Sequence, residues 1–171
     1  GQLRQFMNNF MQHYIDHRHS LKLDQARSLI LDQDYHNTVQ VGVDVASQNQ
    51  DDERLGLDNG MKVFLLHQSS VSITAFELMK LCKACMDEAV EYAAAVPTSE
   101  PVALADLPAT LYHAARQVLD LYRAIVPVRY GKEAAEVPRT AAILYNDCVY
   151  LAHHCLSMGV FYREKFAAAS S

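Results

Sequence analysis

The feature that most limits the fold is a spacing. Leu3, Phe6, Met7, Phe10, Met11 and Tyr14 recur at intervals of three and four residues, the mark of a helix that buries one face. The same interval returns in Leu78, Leu81, Cys82, Cys85, Met86, Ala89 and Tyr92. It returns again in Leu111, Ala115, Val118, Tyr122 and Ile125, and in Ala141, Leu144, Cys148, Leu151, Cys155 and Met158. Stripes of this kind are stable only when other helices cover them. The expected fold is therefore all-α, an elongated antiparallel bundle of four to five long helices.

Breaks in the pattern set the boundaries. The first helix spans about residues 3–33, with a break expected near 18–22, where the spacing weakens and Ser20 offers a fresh cap. Thr74 and Glu77 read as a capping box for a second helix over about 71–95. PTSEP (97–101) ends that helix. Asp106 and Pro108 start a third, over about 106–126, which Pro127 ends, leaving VRYGKEAAEVP as a connector. Pro138 opens the last helix, over about 138–166. Residues 34–60 read as a loop. Within it TVQVGVDV (38–45) alternates with the period of a short extended segment that Gly42 weakens, and an acidic stretch follows. KVFLLHQSSVSI is ambiguous between extended chain and helix entry. Residues 1–171 are expected to form one helical unit. Both ends read as internal to a longer chain, since a helical pattern starts at once after Gly1 and AAASS trails from a helix without a cap.

Composition narrows the function. The net charge is −5 with no basic run, which argues against direct contact with nucleic acid or a polybasic membrane patch. No apolar run reaches the roughly 18 residues of a membrane span. The four cysteines, Cys82, Cys85, Cys148 and Cys155, all fall inside helical patterns, which points to a reduced, cytosolic-type compartment.

Candidate chemistry is sparse. CKAC (82–85) with His153, His154 and Cys155 has the ligand types for zinc. A zinc C-x-x-C pair usually sits on a tight turn, whereas Cys82 and Cys85 lie mid-helix in an apolar stripe, where cysteine packs as a small hydrophobe. His13 and His17 share a helix face, but Asp16 stands where an inverted zincin needs glutamate. Glu77, Glu88 and Glu91 lack the histidine three residues on that a di-iron bundle requires. There is no G-x-S-x-G and no phosphate-binding glycine loop. No catalytic or cofactor-binding residue is assigned.

The densest stretch is NDCVYLAHHCLSMG (146–159). On a helix Asn146, Tyr150, His153 and Ser157 form one polar line, and Asp147 and His154 another. Such lines read as a structural seam, because buried polar groups need partners on neighbouring helices. The seam expected is Asn146, Tyr150, His153, His154 and Ser157. Gly159 suits a close backbone approach, and Phe6, Met7, Phe10 and Met11 are expected to form an exposed packing surface.

LYNDCVYLAHHCLSMG (144–159) resembles the most recognisable segment of the zeste-white ten family, through Asn146, Cys148, Tyr150, Ala152, His153, His154 and Gly159. YHAARQVLDLYRAIVP (112–127), the helix opened by Pro138, and YHNTV (35–39) after ARSLI are similar in placement. The resemblance spans about residues 24–166 with gaps. It implies an internal or C-terminal piece of a long helical rod of the multisubunit-tethering type, non-enzymatic and without cofactor. It implies Rough deal-like and Zwilch-like partners at kinetochores, with spindle-checkpoint support and dynein recruitment. It also implies Dsl-type tether subunits and SNAREs at the endoplasmic reticulum, in Golgi-to-ER vesicle tethering, with membrane contact only through partners. The alternative reading is a small metalloprotein using Cys82, Cys85, His153 and Cys155.

Overall fold

The computed structural model describes residues 2–43, 66–95 and 107–169. The acidic stretch at 46–60, PTSEP and the start proposed at Asp106 lie outside the described residues. The described chain runs α1 (Gln2–Asp32), β1 (Thr38–Val41), β2 (Ser69–Ser72), α2 (Ile73–Ala95), α3 (Leu107–Glu136) and α4 (Pro138–Ala169). It is an all-α bundle that carries one two-stranded ribbon. The α2 and α3 helices form its centre. The α1 helix packs on both, and α4 lies against α2, α3 and β2.

The expected break in α1 is absent. Ile15, Ala26 and Ile30 are buried on one face, and Arg18, His19 and Lys22 fill the same face between them. Both Arg18 and Lys22 reach Glu88 of α2, the lysine at 3.1 Å, and His19 Nε2 pairs with Gln117 Oε1 of α3 at 2.7 Å. Polar contacts between helices replace apolar ones there, so the pattern fades while the helix continues.

Pro127 does not end α3. A proline inside a helix removes one hydrogen bond and clashes with the preceding turn. Here contacts on the far side hold the last turns. Val126 is buried, and Tyr130 stacks on Tyr35 with centroids 4.3 Å apart. Arg129 Nη1 donates to Leu31 O at 3.1 Å, satisfying a carbonyl at the C-terminal end of α1, where a cation is also favoured. The expected connector is thus helical. Val137 joins α3 to α4, its N–H bonded to Glu133 O at 2.7 Å and its carbonyl accepting from Ala141 N at 3.1 Å. Pro138 occupies the first helical position, where no donor is missed.

The loop expected over 34–60 contains β1. It pairs antiparallel with β2, with Thr38 opposite Ser72 and Val41 opposite Ser69. Beyond the ribbon, Gly42 has φ +82°, and a Cβ there would meet the carbonyl oxygens of His67 and Leu66. Glycine therefore permits the close approach that lets Val43 N donate to Leu66 O at 3.0 Å. The α2 cap also differs from expectation. Ala75 N donates to Ser72 Oγ at 3.0 Å, so Ser72 caps the helix. Thr74 is buried inside the first turn.

Candidate functional site

Leu78, Met79, Cys82 and Cys85 of α2 and Val118 and Val126 of α3 are fully buried. Asp147 of α4 is buried beside them, with no exposed surface. The short ribbon places β2 directly against α4, and Asp147 takes its partners from there. Ser72 N donates to Oδ1 at 2.7 Å, and Ser72 Oγ donates to Oδ2 at 2.6 Å. Tyr122 OH of α3 donates to Oδ2 at 2.7 Å. Tyr35 OH lies 3.4 Å from the Tyr122 oxygen. With the Tyr122 proton directed to Asp147, Tyr35 is the donor in that contact.

This cluster joins four segments through one carboxylate. All of its direct partners are donors, which suits an acceptor-only ionised group. It also lies at the N-terminus of α2, where the helix dipole favours negative charge. Burial works against this and pushes the Asp147 carboxyl up, while bonds from Ser72 and Tyr122 pull it down. The same burial, with the nearby Asp147 charge, raises Tyr122 far above an ordinary phenol. Ser72 and Tyr122, whose hydroxyls donate these bonds, are both buried.

The residues expected in the polar seam divide. Asn146 Nδ2 donates to Ser70 O at 2.9 Å, holding α4 to β2. Tyr150 is buried, with Phe76 at 6.5 Å and His154 edge-on at 4.5 Å between ring centroids. Burial leads the causes that raise its phenol to about 12. His154 is half-buried, and burial, Lys83 and His153 lower its pKa to about 4. His153 packs edge-on to His154 at 5.5 Å. Ser157 Oγ donates to His154 O at 3.2 Å, a bond within its own helix. Spacing puts Asp147, the centre of the cluster, only on a secondary line. Nothing in the sequence distinguishes it from an exposed helical aspartate.

The expected apolar line of α4 is rotated. Cys148 and Cys155 are exposed, not buried. The inward line instead runs through Ile143, Asp147, Tyr150 and Tyr162, while Leu151 of the expected line is also buried and Leu144 and Met158 pack against the core. Tyr162 OH donates to Asp87 Oδ1 of α2 at 2.8 Å.

The residues of the zinc reading differ in their surroundings. Cys82 is buried and donates its thiol to Ala115 O at 3.4 Å. Cys85 is buried, and Cys155 is exposed. Among the described residues no three His, Cys, Asp or Glu side chains are placed to hold a metal ion. His13 and His17 lie on the exposed side of α1.

Two apolar surfaces face outward. Phe6 is 68% and Phe10 59% exposed, with Met7 beside them and Met11 half-buried. On α4, Tyr145, Val149, Leu156 and Val160 form a strip turned away from the core. No helix among the described residues is long and apolar enough to cross a membrane.

Residues 64–171 match the family described as centromere/kinetochore protein zw10, C-terminal. The chain is 24% identical to the centromere/kinetochore protein zw10 homolog of Mus musculus, across 96% of this chain and 23% of the relative. It is 23% identical to that of Rattus norvegicus, across 95% of this chain and 22% of the relative. Against the Arabidopsis thaliana homolog the identity is 29%, across 63% of this chain and 13% of the relative. The chain thus spans less than a quarter of the length of these curated relatives. No solved structure matches it significantly. The chain belongs to the zw10 family.

Proposed function

We propose that this chain, as a member of the zw10 family, is the helical C-terminal part of a non-enzymatic scaffold subunit that acts at kinetochores. Family membership over residues 64–171 carries the reading, together with relatives named as centromere/kinetochore proteins. In this reading the subunit assembles with Rough deal-like and Zwilch-like proteins, supports the spindle checkpoint and recruits dynein through adaptors. The same subunit works in Golgi-to-ER vesicle tethering, with Dsl-type partners and SNAREs at the endoplasmic reticulum surface. It reaches chromosomes and membranes through proteins.

The physical chemistry is compatible with such a role. Asn146, Asp147 and Tyr162 of α4 bond to backbone and side chains of the same chain. Outward apolar strips on α1 and α4 offer area for protein contacts. A net charge of −5 does not favour phosphate backbones.

Affinity purification of the full-length protein from mitotic and interphase cells tests the reading. Recovery of Rough deal-like and Zwilch-like subunits in mitosis is expected, with Dsl-type subunits in interphase. Recovery is expected to fall when Phe6 and Phe10 are replaced by aspartate. Stoichiometric zinc by elemental analysis, lost together with helicity on chelation, would instead establish the metalloprotein.

A further inference from the structure

A groove of about 540 Å³ opens between α3 and α4, with α2 at its base. Met86 of α2, Leu119 of α3 and Met158 of α4 line it. On α4 the wall runs from Cys155 to Phe166, about 16 Å at 1.5 Å per residue. That is three helical turns, long enough for a docked helix to seat apolar anchors at i, i+3, i+4 and i+7, which span about 10 Å.

Charge selects the occupant. Arg18, Arg27, Arg123, Arg129 and Arg139 each contact a carboxylate or a backbone carbonyl. Arg116 and Arg163 are exposed, border this groove, and hold no such partner among the described residues. In an acidic chain, two unpaired guanidinium groups flanking an apolar trough complement carboxylates beside an apolar stripe. Gly159 also lines the groove. A Cβ there meets nothing within 4 Å, so packing inside this chain does not require glycine, although mid-helix glycine costs about 1 kcal/mol.

We propose that this groove docks an amphipathic helix of a partner protein, its apolar face in the trough and its acidic flanks on Arg116 and Arg163. The inference goes beyond the scaffold reading and stands without it.

The probe is a fluorescein-labelled 18-residue helical peptide with leucines at i, i+3, i+4 and i+7 and glutamates on both flanks. Its binding to the full-length protein is followed by anisotropy, beside a peptide with lysines in place of the glutamates. The glutamate peptide is expected to bind at least tenfold more tightly. Gly159→Trp fills the groove and is expected to weaken binding at least tenfold, with circular dichroism unchanged. Should that variant misfold, the exposed pair Arg116→Glu and Arg163→Glu decides, since it is expected to reverse the preference between the two peptides. No binding, equal binding of the two peptides, or a preference that survives the charge reversal overturns the proposal.

Discussion

The carboxylate of Asp147 accepts both the backbone N–H and the hydroxyl of Ser72, a residue 75 positions earlier, at 2.7 and 2.6 Å. The pairing fixes α4 against the point where β2 becomes α2, and it orients the hydroxyl that caps α2. Replacing Asp147 by alanine leaves that N–H and two hydroxyls without an acceptor. The expected loss is about 3 kcal/mol of unfolding free energy, read from urea titration followed by circular dichroism.

Gly42 lies in left-handed backbone conformation against the carbonyl oxygens of His67 and Leu66. Gly42→Ala meets both the unfavourable φ and the steric contact. We expect a loss of about 2 kcal/mol, with faster hydrogen exchange at the Val43 and Gln68 amides, which bond across this junction.

Stability should depend on pH through His154, whose pKa falls from 6.5 to about 4 in the folded protein. The folded state therefore prefers the neutral ring. Its contribution is complete above pH 6.5 and is lost as pH falls through the window down to about 4. The ring is partly exposed, so solvent screening reduces the effect to about 1 kcal/mol. Asp147 acts with the opposite sign, because its raised carboxyl loses stability as pH rises. The difference between the protein and its His154→Gln variant isolates the histidine. Thermal melts at pH 7.5 and pH 5 should show a smaller acid loss in the variant.

Pro127 is exposed within α3. Pro127→Ala restores a helical donor and relieves the clash with the preceding turn, so we expect stabilisation by about 1 kcal/mol or more. Calorimetry measures it as a higher melting temperature. An unchanged or lowered temperature would mean that Pro127 is needed to bring Arg129 to the end of α1.

The helical periods were legible in the sequence because apolar side chains at intervals of three and four have few other readings. What escaped was tertiary. Helix α1 looked broken because Arg18, His19 and Lys22 face the core as polar residues, with partners that only the fold supplies. Pro127 looked like a terminus because the Tyr35–Tyr130 stack and the Arg129 contact are long-range. The inward line of α4 lies about one residue, or 100° of rotation, from the cysteines of the expected line, with Leu151 shared by both. Cys148 and Cys155 look greasier than Asp147 and His154, yet the aspartate has three donors waiting for it. The ribbon has two strands of four residues whose pairing crosses a long separation, so local pattern alone specified neither partner nor register. In the candidate site, spacing puts Asn146 on a polar line and it bonds to Ser70 O, whereas Asp147 becomes central only once β2 and α3 are in place.

The most direct test of Asp147 as a structural pin is a double-mutant cycle with Tyr122→Phe and Asp147→Ala, measured by urea unfolding. The account predicts a coupling of at least about 1 kcal/mol, because each change removes half of one buried bond. Effects that add within about 0.3 kcal/mol would contradict it.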